Sequence, residues 1–146
     1  MRLDPAMLGN SGFDRQPLGQ YFTPTWCTEA LLSQVRLRGS IWESAAGRGD
    51  IVTTLEQAGR RVVESDIVGA DLDCTGAERI DFLTAKSKPD GVATIVTYPP
   101  FDRIERFIRR ALTLTRQRQG MVAMLARHEF DCAGGRKHLF DRPLSP

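Results

Sequence analysis

Between residues 22 and 126 the chain alternates short apolar runs with amphipathic stretches. Phe22-Thr23-Pro24 opens a first helix, with Thr23 placed to cap it and Pro24 suited to the first helical position. Its apolar face is Ala30, Leu31, Leu32 and Val35, and Gly39 is its expected stop. Ser40-Ile41-Trp42-Glu43 predicts a strand that turns through Ala45-Ala46-Gly47-Arg48-Gly49 into a second helix. Asp50 is the expected cap of that helix, Ile51, Leu55 and Ala58 its buried face, and Gly59 its end. Arg61 to Asp66 predicts a second strand, and Ile80-Asp81-Phe82-Leu83 a short strand or turn. Val92 to Thr97 is continuous and β-branched, as suits a strand buried on both faces. After Tyr98-Pro99-Pro100, residues Ile104, Phe107, Ile108, Ala111 and Leu112 recur at helical spacing, and Met121 to Ala126 predicts a further buried strand.

Strands alternating with helices imply an α/β architecture of parallel strands joined by crossovers. In such sheets ligands sit at the carboxyl ends of the strands, near the point where the strand order reverses. Glu43 to Gly49, Asp66, Asp81 to Leu83 and Tyr98 to Phe101 each follow a predicted strand. A length of 146 residues fits one domain, placed at 21–140 between a Gly-, Pro- and Asp-rich arm at 1–20 and an irregular tail at 141–146. With 41% hydrophobic and 26% charged residues, wholesale disorder is excluded. No apolar run reaches the length of a membrane span and the N-terminus has no signal-peptide core, so the expectation is a soluble cytoplasmic protein with no membrane partner. Cys27, Cys74 and Cys132 lack zinc-ligand or disulfide spacing, so no metal site is expected.

A net charge of +2 does not select a partner, but its distribution adds something. Arginines outnumber lysines 17 to 3, and residues 101–118 hold six arginines against Asp102 and Glu105, a basic face that suits DNA phosphates or is simply solvated.

Gly47-x-Gly49 lets a ligand approach the backbone, yet the third glycine of the dinucleotide fingerprint is missing and no Gly-Lys-Ser/Thr follows, so a pyrophosphate cradle is disfavoured. A carboxylate at the end of the second strand, Asp66, suits the two hydroxyls of a ribose. Asp81 and Phe82 suit an adenine ring, or are a loop acid and a core aromatic. Two prolines after the central strand fix the backbone, leaving carbonyls beside the aromatic Phe101, a pocket for a planar amine-bearing group.

Phe22-Thr23-Pro24, Glu43-x-x-Ala46-Gly47-x-Gly49, Asp66, Asp81-Phe82-Leu83 and Tyr98-Pro99-Pro100-Phe101 together resemble the motif series of S-adenosylmethionine-dependent N6-adenine DNA methyltransferases, over roughly residues 21–130. The resemblance implies a Rossmann-like class I methyltransferase sandwich with a mostly parallel sheet. It further implies that Phe22, Thr23 and Pro24 flank the methionine end of the cofactor, and that Glu43, Ala45, Gly47 and Gly49 form its cradle. Asp66 then takes the ribose, and Asp81 and Phe82 the adenine, of S-adenosylmethionine. Phe101 stacks on the target base and the Pro99 carbonyl accepts from its amine. Two departures stand out. Tyr98 occupies the position of the family's Asn or Asp, so activity is expected to be strongly reduced or absent. The twenty residues after the last strand cannot supply the family's C-terminal helix and hairpin, so the expectation is either a truncated member or a sheet edge left open to a partner subunit or a second copy. The alternatives are a non-catalytic binding or assembly relative, and a methyltransferase of a protein glutamine or an RNA amine.

Overall fold

The structure, a computed structural model, describes residues 22–68, 76–130 and 134–140. The N-terminal arm, the 141–146 tail, Cys74 and Cys132 lie outside the described residues. The elements are α1 (Thr25–Gln34), β1 (Ser40–Glu43), α2 (Asp50–Gln57), β2 (Val62–Asp66), β3 (Glu78–Arg79), β4 (Val92–Thr97), α3 (Ile104–Thr115), β5 (Met121–Met124) and α4 (Lys137–Phe140).

Five strands form one sheet in the order β3-β2-β1-β4-β5, and every described pair is parallel. The order reverses between β1 and β4, so the crevice at a switch point opens above Glu43 and Thr97, the last residues of those strands. This is an α/β fold compatible with Rossmann-like topology. Among the described residues β5 pairs with β4 alone.

Two apolar layers sandwich the sheet. Ile41 and Val96 face one layer with Leu37 and the α2 residues Ile51 and Leu55. Trp42, Val92 and Ile95 face the other, with Phe82 and the α3 residues Phe107 and Ala111. Alternation along β1 therefore sends neighbours Ile41 and Trp42 to opposite layers, which is why its run is apolar without a polar face. At about 1.5–3 kcal/mol for each large apolar side chain, these layers supply the main force holding the sheet.

Local details differ from the sequence expectations where backbone geometry outweighs propensity. Pro24 is itself the cap of α1, with no side-chain hydrogen bond, and Thr23 is buried instead of capping. α1 ends at Gln34, while Gly39 lies at the entry to β1 with φ +54 and a would-be Cβ 2.9 Å from Ala93 Cβ. Asp50 is the first residue of α2, because Gly49, in the left-handed conformation, takes the cap position. Ala58 is exposed, and Val52 and Thr54 complete the buried face of α2. The short strand after β2 falls at Glu78–Arg79, two residues before the expected run, and Phe82 to Thr84 form a turn.

Gly39→Ala is expected to destabilise the fold by about 1–3 kcal/mol, since it combines an unfavourable φ with a contact that must shift. A urea midpoint equal to that of the parent would show that the β1 entry relaxes freely.

Candidate functional site at the strand carboxyl ends

A chain of hydrogen bonds ties the ends of three strands together. Glu43, at the end of β1, accepts through Oε1 from the Ala45 backbone N–H at 2.9 Å and from the Thr97 hydroxyl at 2.5 Å. Asp66, at the end of β2, accepts from the Gly47 N–H through Oδ2 at 2.9 Å and from the Val68 N–H through Oδ1 at 3.0 Å. The Ala46 N–H donates to the Ser65 carbonyl at 2.9 Å, and Ser65 Oγ accepts from the Trp42 indole at 2.9 Å. The glycine turn is thus held from below by one carboxyl on β1 and from the side by one on β2.

Gly47 has φ +54, and among the described residues nothing lies within 4 Å of where a Cβ would stand. A side chain there would be strained by backbone conformation while the space above stays open, which is the arrangement a ligand approaching the peptide needs. Gly49, buried, closes the turn by donating its N–H to the Ala46 carbonyl at 2.8 Å.

Glu43 is fully buried and its Oε2 has no partner among the described residues. Burial, above all, pushes its carboxyl up to about 8; the Thr97 and Ala45 hydrogen bonds oppose this, and the negative charges of Asp66 and Glu64 add to it. Glu43 therefore supports the turn from beneath, where it has no surface for direct contact with a ligand.

The remaining positions divide in two. Phe22 is exposed and lies beneath the Arg48 guanidinium, 4.2 Å from its ring centroid, which brings the start of α1 to the glycine turn. Pro24 is exposed beside buried Thr23. Asp81 is exposed and its Oδ1 accepts from the Leu83 N–H at 3.0 Å; the preceding Ile80 N–H donates to the Asp66 carbonyl at 3.0 Å, so Asp81 follows closely on the β2 end. Phe82, by contrast, is a core aromatic. It is 2% exposed, edge-on to Trp42 and stacked on Phe107 at 4.9 Å, so it presents no ring face to an adenine. Its part is to anchor the Asp81 turn.

Beyond β4, Pro99 is fully buried and the Pro100 carbonyl accepts from the Arg103 N–H, opening the turn into α3. Tyr98 is half-buried against the apolar layer of Leu37, Ile41 and Ile51, and its ring meets Phe101 edge-on at 5.5 Å. The Arg127 guanidinium, just after β5, lies 4.3 Å from the Phe101 centroid.

Thr97, Arg48 and Arg127 were not among the candidate residues of the sequence analysis. Thr97 carries the signal of a polar side chain ending a buried strand beside a strand that ends in Glu. Arg127 follows β5 as Tyr98 follows β4, so the strand-end rule applied to every strand reaches it.

The basic helix lies elsewhere. In α3, Arg109 pairs with Glu105 at 2.9 Å, an exposed i,i+4 pair that solvent screens and that adds little to stability. A cavity of about 220 Å³ adjoins its second half, lined by Arg109, Leu112, Thr113, Arg116, His138 and Leu139. Because α3 runs back against the parallel strands, this cavity points away from their carboxyl ends. Among the described residues no helix is long and apolar enough to cross a membrane, and no cluster of His, Cys, Asp and Glu has the makings of a metal site.

No family model and no curated protein matches the chain.

Proposed function

We propose that the strand-end crevice binds S-adenosylmethionine and that the chain is a class I methyltransferase-like protein of the DNA adenine-N6 type. The observation that carries this reading is the hydrogen-bonded chain Thr97–Glu43–Ala45 and Gly47–Asp66, which joins three strand ends around an open glycine turn. The donor set suits such a ligand. Carboxyls at or beyond the ends of β2 and β3 (Asp66 and Asp81) favour a positively charged, hydroxyl-rich nucleoside over a phosphate, while Glu43 at the end of β1 holds the turn from beneath.

When bound, the cofactor supplies a methyl group on a sulfonium. The chain's own residues do the rest by positioning. Each Asp66 oxygen accepts one backbone N–H and keeps a second lone pair for a ribose hydroxyl. Phe22 and Arg48 border the turn at its α1 side, and Asp81 offers an acceptor to an adenine amine. Phe101 gives the target base an aromatic surface, with the Pro99 carbonyl toward its amine. A target adenine in a duplex has to be extruded to reach them. The same reading extends to DNA along the arginines of α3, and to a partner subunit on the β5 edge.

Asp66→Ala should weaken S-adenosylmethionine by about 1–3 kcal/mol, the range for hydrogen bonds to a charged group. Calorimetric titration of the parent and the variant reads this directly. Saturable binding lost or weakened in the variant supports the proposal, and no heat from the parent at millimolar ligand overturns it.

A second reading, a non-catalytic binding relative, is favoured by one observation. The Tyr98 ring is lodged between the apolar layer and Phe101, beside the position the target amine would take.

A further inference from the structure

Arg109 on α3 and Arg116 in the turn that continues it border a cavity that His138 and Leu139 of α4 close from the other side. Residues 109, 112, 113 and 116 fall at i, i+3, i+4 and i+7, so they share one helix face. Two turns separate the arginines by about 10 Å along the axis, and both side chains are long enough to reach a ligand between them. Arg109 is held in place. Its Nε and Nη2 donate to Glu105 Oε1 at 3.3 and 2.9 Å, and Nη2 also meets His138 Nε2 at 2.6 Å. Its Nη1 is left without a partner among the described residues, and the exposed Arg116 guanidinium has no partner there at all. Thr113 donates its hydroxyl to the Arg109 carbonyl at 2.9 Å, so the donors facing the cavity come chiefly from the guanidiniums.

We propose that this cavity binds a small organic monocarboxylate, its apolar body against Leu112 and Leu139 and its carboxylate between Arg109 and Arg116. Charge selects a monoanion: two guanidiniums face one carboxylate, Glu105, which leaves one positive charge in excess before the imidazole is counted. The half-buried leucines select an organic ligand, because inorganic phosphate has no apolar surface to set against them. A DNA backbone lies along the outside of a basic helix and has no use for the recess. Volume sets the size. The cavity holds about 220 Å³, and one of about 150 Å³ is enough for a benzene ring, so one ring with its carboxylate fits. The planar guanidinium fork matches the two carboxylate oxygens. This site does not depend on the methyltransferase reading, since it lies away from the strand carboxyl ends.

The test titrates benzoate into the whole chain at constant ionic strength, followed by ligand-observed NMR. Benzamide and inorganic phosphate are the comparison probes, the first without the charge and the second without the ring. Benzoate should bind saturably at millimolar concentration, and both comparison probes at least about tenfold more weakly. Arg116→Gln should weaken benzoate about tenfold, since it removes a charged fork from an exposed position where packing is not at stake. Arg103→Gln, at the opposite end of α3, should leave benzoate affinity unchanged. Absence of saturable benzoate binding, equal binding of either comparison probe, unchanged affinity in Arg116→Gln, or the same loss in Arg103→Gln each overturns the inference. Competition by S-adenosylmethionine also overturns it, because benzoate would then occupy the strand-end crevice. Cofactor binding without benzoate binding defeats only this inference. Benzoate binding without cofactor binding defeats only the methyltransferase reading.

Discussion

Glu43→Gln is expected to remove a fall in stability that the parent protein shows as pH rises from about 4.5 to about 8. The Glu43 carboxyl is fully buried with one oxygen unpartnered, and its pKa in the fold stands near 8, above the 4.5 of an ordinary glutamate. In the unfolded chain the group loses its proton near 4.5, whereas the native state keeps it until about 8. Between those values the native state binds more protons, so raising the pH favours unfolding by about 1.4 kcal/mol per unit. The stabilising contribution is complete below the lower value and is lost by the upper one. The accumulated effect is a few kcal/mol, a large part of the 5–15 kcal/mol typical of a domain. Glutamine keeps the acceptor oxygen for Ala45 and Thr97 and cannot ionise. Near pH 5 the two proteins should have similar urea midpoints, and near pH 8.5 the variant should be more stable by a few kcal/mol. Parallel curves at all pH values would mean that Glu43 is ionised in the fold, with a cation or donor completing its Oε2.

Much of this arrangement was legible in the residues. β1 and β4 fall on the expected segments because an unbroken apolar or β-branched run between turn residues has one stable use in a parallel sheet. The strand-end positions of Glu43 and Tyr98 follow from that alone. Helix starts were harder to read: Thr23 and Asp50 have good capping side chains, but Pro24 and the left-handed Gly49 take the positions through backbone geometry. In the sequence Phe82 suits a ligand contact as well as a core, because periodicity says nothing about a residue in a turn. Its partners Trp42 and Phe107 are 40 and 25 residues away in sequence, and only the packed layer joins them. Burial depth was equally invisible. A glutamate at a strand end reads as a ligand contact, yet Glu43 lies beneath the turn it supports. Arg127 on Phe101 is a contact between the segments that follow two neighbouring strands, which one-dimensional spacing does not encode.

Tyr98→Asn is expected to raise N6-methyladenine formation on adenine-containing DNA by 10²-fold or more, while costing roughly 2 kcal/mol of stability. The two effects have separate causes. The ring packs against the Leu37–Ile41–Ile51 layer and meets Phe101 edge-on, so removing it forfeits apolar contact that a carboxamide does not replace. Asparagine is shorter and carries a carbonyl oxygen that can accept from the target amine, orienting its lone pair. The phenol is longer, and its hydroxyl can donate to that amine's lone pair. Tyr98→Phe separates the contributions: it keeps the ring packing and removes only the hydroxyl, so it should keep the Phe101 contact and stay inactive. Mass spectrometric measurement of the methylated base, alongside urea midpoints and cofactor titration, reads all three proteins. If Tyr98→Asn folds and binds S-adenosylmethionine yet forms no methyladenine, Tyr98 is not what withholds catalysis. The rim then serves binding alone, and the phenol is best understood as packing that closes a site with no target amine to admit.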